Sequence, residues 1–293
     1  MYERHFGFRA KPFSPTPDPA FLYPSSQHAM GMTMLEYGLE SQAAFSLLTG
    51  DIGCGKTTLV RRLLRGLGDR VVVGLISHTH SQFKSIHGWA LSALGVVPAD
   101  NSDVGQYSAL VDSFVSQYAR GRRTLLIIDE AQNLPLQVLE ELRLLSNVNS
   151  ERDLILQILL VGQPELREKL SRPEMIQFAQ RVSVDFHLKP LERTETHAYV
   201  RHRLEVAGGA PALFTADAIE FVHARTKGIP RLVNQLCDFG LLYAFADGRK
   251  TIDADLIAQV LRDRGYGMAL PAMSPTAMEL RKAPVGIPNN GAA

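Results

Sequence analysis

The run Gly50-Asp51-Ile52-Gly53-Cys54-Gly55-Lys56-Thr57 constrains this chain more than any other segment. It fits the spacing G-x-x-x-x-G-K-[ST], and its flanks give that spacing a meaning. Ala44-Phe45-Ser46-Leu47-Leu48-Thr49 ahead of it reads as a buried strand, and Thr58-Leu59-Val60-Arg61-Arg62-Leu63-Leu64 behind it reads as a helix. Backbone N–H groups of a glycine loop at a helix start can meet the desolvated charges of a phosphate chain, where side chains would block the approach. Lys56 is expected to reach β- and γ-phosphates as a point charge. The Thr57 hydroxyl is expected to hold magnesium, with Thr58 beside it in the first helical turn.

A second polar signal ends the apolar run Thr124-Leu125-Leu126-Ile127-Ile128, which is immediately followed by Asp129-Glu130. A strand this uniformly apolar suits the interior of a parallel sheet, buried on both faces. At its carboxyl edge Asp129 can bind magnesium, directly or through water, and Glu130 can orient the water that attacks a γ-phosphate. The alternative is a helix N-cap at Asp129 before Ala131-Gln132-Asn133, which needs only one acid.

Further strands are expected at Val71 to Ser77, Leu154 to Val161 and Val182 to Leu188, with helical stretches between most of them. That alternation specifies an α/β fold with a parallel sheet flanked by helices. The strand at Leu154 to Val161 finishes at Gly162-Gln163, so Gln163 is either a sensor of the γ-phosphate or a polar strand end before Pro164. Beyond Pro190 the pattern becomes helical, at Glu192 to Val206, Ala216 to Thr226, Pro230 to Ala246 and Asp253 to Asp263. In Gly228-Ile229-Pro230-Arg231, glycine can end one helix and proline begin the next. Arg231 then stands in a first helical turn, where the helix dipole disfavours a cation by about 0.3–1 kcal/mol. Either a nucleotide phosphate or a surface carboxylate would offset this.

These segments divide the chain into a proline- and aromatic-rich arm (1–27), a sheet domain (28–190), a small all-helical domain (191–264) and a tail without apolar period (265–293), expected to be disordered. The arm's aromatics should pack either into core or on the purine ring of a nucleotide. A helix from about His28 to Glu40 leads into the first strand.

With 293 residues, a net charge of +1 and charged residues at 21%, the composition is that of an ordinary globular protein with no electrostatic reason for strong nucleic-acid binding. Cys54 and Cys237, the only cysteines, indicate neither a disulfide framework nor a C-x-x-C metal site, and a reducing cytoplasm fits. The charged N-terminus does not read as a signal peptide, and no segment approaches 18 uninterrupted apolar residues. His78 and His80 would share one side of a strand and read as surface or cleft lining rather than a metal site.

Together these landmarks resemble an AAA+ ATPase, specifically the general secretion pathway A type and its relatives from exosortase and exopolysaccharide loci. The resemblance covers residues 1 to 264. It rests on the phosphate loop, on Lys11-Pro12-Phe13, Pro17-Asp18-Pro19 and Tyr37-Gly38-Leu39, and on Asp129-Glu130-Ala131-Gln132-Asn133-Leu134. Downstream it rests on Glu141-Leu142-Arg143-Leu144-Leu145-Ser146-Asn147, Gly162-Gln163-Pro164-Glu165-Leu166, Ala179-Gln180-Arg181-Val182 and Gly228-Ile229-Pro230-Arg231.

The resemblance implies ATP bound between the sheet domain and a helical lid, and assembly with copies of itself into rings. In such rings one subunit's arginine completes its neighbour's site. Arg181 matches that position, with Arg172 the second candidate; the plain reading of Arg181 is a cation at a helix C-terminus. Secretion-type members often continue into a membrane-spanning and a peptidoglycan-binding region. A chain without these is expected to make any inner-membrane contact through a partner.

Three function classes follow: an oligomeric ATPase motor or switch for a secretion or envelope complex, a DNA-associated regulator of transposition, and a nucleotide-binding scaffold with negligible hydrolysis. Glu130 argues against the scaffold. Near-neutral charge and the lack of a recognisable DNA-binding motif argue against DNA, while Arg61-Arg62-Arg65 and Arg120-Arg122-Arg123 argue for it.

Overall fold

The computed structural model describes residues 1–15, 19–77, 79, 85–148 and 154–264. They form two compact units, one of Pro24–Pro190 and one that joins Met1–Tyr23 to the chain from Leu191 onward. Helix α1 (Tyr2–Phe6) belongs to the second unit.

The first unit opens with α2 (Ser26–Glu40), whose N-cap Ser25 accepts the backbone N–H of His28. Then follow β1 (Phe45–Gly50), α3 (Lys56–Gly66), β2 (Val71–Ile76), α4 (His87–Leu94), α5 (Asp103–Ala119) and β3 (Arg123–Ile128). After a 3-10 turn at Ala131–Asn133 come α6 (Leu136–Leu145), β4 (Leu156–Gly162), α7 (Pro164–Leu170), α8 (Ile176–Ala179) and β5 (Val182–Leu188).

The strands make one sheet in the order β2-β3-β4-β1-β5, and every pairing is parallel. Every residue of β1 and β4 is buried, as a strand flanked on both sides and covered on both faces requires. Edge strand β2 is more open, with Leu75 at 44% exposure. Phe45, Leu126, Ile128, Ile158 and Leu160 on the sheet pack with Leu110, Phe114, Leu139 and Leu142 from the helices in one apolar core.

The second unit continues with α9 (Arg193–Val206), α10 (Ala216–Thr226), α11 (Pro230–Ala246) and α12 (Ala254–Arg264). A capping box between Glu192 and Glu195 starts α9, and the Thr215 side chain caps α10, so local sequence fixes both helix starts.

Of the two alternatives for the arm, core packing is the one observed: Tyr2, Phe8, Phe13 and Phe21 are buried in the same cluster as Val200, Leu204, Val222 and Leu241. Phe13, 1% exposed, meets Phe214 edge-to-face at 5.9 Å, so these rings are core of the helical unit and not a platform for a purine. Burying such a ring contributes roughly 1.5–3 kcal/mol, which a solvent-facing platform would forgo. The buried guanidinium of Arg203 fastens the arm further, donating to the carbonyls of Pro12 and Ser14 and lying 5.1 Å from the Phe21 ring centroid. Residues 24–27 instead lead into α2, which begins at Ser26, slightly ahead of the expected His28. The tail from residue 265 and the pair His78 and His80 lie outside the described residues.

Candidate functional site

Strand order creates the site. Because β4 lies between β3 and β1, the carboxyl ends of all three sit side by side, with Ile128 level with Leu160 and Thr49 level with Gly162. The glycine loop leaves β1, the acid pair leaves β3 and Gln163 leaves β4, so one sheet edge receives all of them.

The loop's backbone geometry needs its glycines. Gly55 has φ 102, and a Cβ there would stand 2.6 Å from Nε2 of His28. Helix α3 starts with no side-chain cap and no acid in its first turn, which leaves its leading N–H groups and the positive end of its dipole for an anion. Lys56 is 7% exposed, and its Nζ donates to the carbonyls of Gly50 at 2.7 Å and Asp51 at 3.1 Å. Burial lowers its pKa, while the nearby charge of Glu130, then of Cys54, Asp129 and Asp51, opposes that shift. Cys54 is fully buried between the loop glycines, and burial pushes its thiol up to about 11.

Thr57 Oγ1 donates to Asp129 Oδ2 at 3.3 Å, so a hydroxyl and a carboxylate oxygen stand together beside the loop. That donor set fits magnesium, a hard ion usually held by one or two protein oxygens plus substrate phosphates. Burial raises the Asp129 pKa, and the N–H of Glu130, donating to Oδ1 at 2.9 Å, counteracts it. A bound cation would favour the ionised form in the same way.

Glu130 itself occupies the left-handed region at φ 54, a conformation uncommon for a residue with a side chain. No side chain caps the 3-10 turn that follows, which overturns the N-cap alternative for the acid pair. Thr79 Oγ1 holds the bend by donating to the Glu130 carbonyl at 2.6 Å, with the Asp129 carbonyl at 3.3 Å. Gln163, which directly follows β4 at the start of α7, donates from Nε2 to Glu130 Oε2 at 3.3 Å.

Two expected residues of the sheet unit lie elsewhere. Arg181 precedes β5, whose first residue pairs with Phe45 and whose last pairs with Gly50, so it stands at the amino edge of the sheet. A strand of seven residues separates it from its own chain's phosphate loop, about 20 Å at 3.3 Å per residue. Its Nη1 donates to Ser146 Oγ at 2.9 Å and to the Arg143 carbonyl at 3.4 Å. Tyr37, Gln42, Ser146, Leu154, Ser183 and Arg181 line a hollow of about 510 Å³ at that edge. Arg172 is exposed at the start of a 3-10 turn. Arg231, in the helical unit, is exposed in the first turn of α11 and makes no ion pair among the described residues.

Sequence reasoning missed Thr79, Gln132 and Lys169 as participants. Lys169 Nζ donates to the carbonyls of Gln132 at 2.6 Å and Leu134 at 2.7 Å, fastening the turn after the acids to α7. Thr79 and Gln132 lie within a few residues of a strand end and Lys169 in the last turn of α7, where a polar residue is ordinary and carries no signal by itself.

Comparison with known proteins agrees with this geometry. The AAA domain family matches residues 39–170. General secretion pathway protein A of Aeromonas hydrophila is 38% identical over 260 residues, covering 87% of this chain and 47% of that protein, so the chain spans about half of its relative's length. Cdc6p from Pyrobaculum aerophilum shares the fold with a TM-score of 0.65 at 16% identity, over 88% of this chain and 72% of that one. The ORC1 protein of Aeropyrum pernix, solved in complex with DNA, does so with a TM-score of 0.61 at 19% identity, over 87% and 69%. The chain has the fold of AAA+ P-loop proteins, carries an AAA domain, and over most of its length is similar to general secretion pathway protein A.

Proposed function

We propose that this chain binds ATP with magnesium and hydrolyses it to ADP and phosphate, working with copies of itself as a motor or switch for a secretion or cell-envelope assembly. One observation carries the reading: Lys56 and Thr57, Asp129 and Glu130, and Gln163 converge on one edge of the sheet from three adjacent strands. In it, the backbone from Gly50 to Thr58 cradles the phosphates and Lys56 leaves its two carbonyls for the β- and γ-oxygens. Thr57 and Asp129 hold magnesium, which would neutralise charge on the phosphate oxygens. Glu130 orients the attacking water and accepts its proton, and Gln163 reports the γ-phosphate to β4.

The helical unit serves as the lid, with Arg231 reaching the γ-phosphate when it closes. Arg181, a strand's length from its own loop, serves the nucleotide of a neighbouring copy. The kinship to general secretion pathway protein A favours a secretion partner. Among the described residues no helix is long and apolar enough to cross a membrane, which agrees with a cytoplasmic protein that meets the inner membrane through that partner. The test is phosphate release by the purified chain with magnesium and ATP, alongside Lys56→Ala. Wild-type turnover lost together with nucleotide binding in the variant is expected; a wild type that binds ATP without releasing phosphate would leave only a nucleotide-dependent scaffold.

A second reading, a regulator that works on DNA, draws on Arg61, Arg62, Arg65, Arg120 and Arg122. All five are exposed and make no ion pair among the described residues. Duplex binding that weakens steeply with salt and with Arg120→Glu/Arg122→Glu would favour it.

A further inference from the structure

Glu130 does not stand alone at its strand end. Gln132 Nε2 donates to Glu130 Oε2 at 2.6 Å, the same oxygen that Gln163 Nε2 approaches at 3.3 Å. The orientation of the Gln132 amide is fixed by its other end: Oε1 accepts the backbone N–H of Gln163 at 3.1 Å, and an N–H can only donate. The nitrogen must therefore face the carboxylate. Room for this side chain comes from Gly162, where a Cβ would stand 3.0 Å from Gln132 Oε1 and 2.8 Å from Leu166. The Gln132 backbone is held as well, since Lys169 donates to its carbonyl. Burial lowers the Lys169 pKa, a cost its two carbonyl contacts offset.

We propose that Gln132 is a positioning residue for hydrolysis, and the proposal rests on the ATPase reading given above. Its amide fixes Oε2 of Glu130, so that Oε1 is the oxygen left to accept a proton from the attacking water. Gln163 shares the grip, so the water-orienting carboxylate is connected through Gln132 to the end of β4. A carboxylate freed from this grip would still carry its charge but would sample several rotamers on a left-handed backbone. A misplacement of about 1 Å at a reacting group can cost roughly 100-fold in rate. Binding of the nucleotide, which uses the loop, Lys56 and Thr57, would not be affected.

Gln132→Met keeps the size of the side chain and removes both polar ends. Steady-state phosphate release and nucleotide affinity, measured on the wild-type chain and this variant, should show kcat lower by about 10- to 100-fold with KM and Kd for ATP within about twofold. A melting temperature close to wild type should accompany this. Lys169→Met, which touches only the backbone of the same turn, should give the same split with a smaller loss, and stands in if Gln132→Met does not fold.

An unchanged or raised kcat in a wild-type background that hydrolyses ATP overturns the positioning role and leaves the ATPase reading intact. Loss of kcat and affinity together identifies Gln132 as structural and also overturns it. Absence of phosphate release by the wild-type chain removes the ATPase reading, and this proposal with it.

Discussion

The two edges of the one sheet are built differently. At the carboxyl edge, residues that follow β1, β3 and β4 are bound together: Thr57 to Asp129, Glu130 to Gln132 and Gln163, and Lys56 to the loop's own carbonyls. At the amino edge, Arg181 is tethered to Ser146 beside a hollow of about 510 Å³. The first edge gathers the groups expected to meet phosphate and magnesium, while the second carries the sheet unit's Arg181 a strand's length away from them. Under the proposed function the two edges would form one working site if copies associated so that the amino edge of one faced the loop of the next.

The sharpest way to break this comparison is Arg181→Ala. A stimulatory arginine is worth about 10³–10⁵ in turnover, and a loss of that order is expected with ATP affinity kept. Because the residue would act on a neighbour, mixing Arg181→Ala with Glu130→Gln subunits should release more phosphate than the sum of the two alone. If mixed assemblies form and never exceed that sum, Arg181 is a structural cation and Arg172 becomes the residue to vary.

Glu130→Gln tests the carboxyl edge. An amide keeps the shape and leaves Asp129 for magnesium, so nucleotide affinity should persist while turnover falls by about 10²–10⁴. Near-normal hydrolysis would move the water-orienting role to another residue.

A smaller effect is expected from Ser146→Ala, which removes the hydroxyl that holds the Arg181 guanidinium. Loss of one hydrogen bond worth about 1 kcal/mol corresponds to roughly a fivefold drop in stimulated turnover. Turnover of wild-type size would show that Ser146 does not orient the arginine.

Smallest of all is a pH effect at the loop. Burial lifts the Cys54 thiol from its ordinary 9.0 to about 11, so the folded state favours the neutral thiol more than the unfolded chain does. That contribution is complete below about pH 9 and is lost as pH rises through 11. Melting temperature should therefore decline by a few degrees over this window, and Cys54→Ala should flatten the decline. At pH 8 neither Cys54 nor the equally buried Cys237 should react with a thiol reagent until denaturant is added. Rapid reaction of Cys54 in native protein would reveal a loop that opens.

Much of the fold was readable because its signals are local. A strand's apolar run, the glycine spacing at 50–57 and the Gly228-Pro230 junction all act within a few residues, and the resulting elements start and end close to their expected places. Gln163 was also reachable, since it follows a strand directly. The arm was not, because aromatic residues separated by prolines show that something is buried without showing against what. Only the cluster joining Phe13 and Phe21 to α9, α10 and α11 answers that.

By itself the sequence determined that a phosphate loop and an acid pair end two strands of a parallel sheet. The tertiary structure alone decided that β4 lies between those strands, because that depends on pairing residues 45–49 with residues 158–162, more than a hundred positions away. That pairing brings Gln163 and Gln132 onto Glu130. The parallel placement of β5 beside β1 likewise sends Arg181 to the far edge. Local propensity cannot specify either result, since hydrogen-bonded neighbours in a sheet are chosen by the burial of whole faces and the lengths of crossovers rather than by the residues at strand ends.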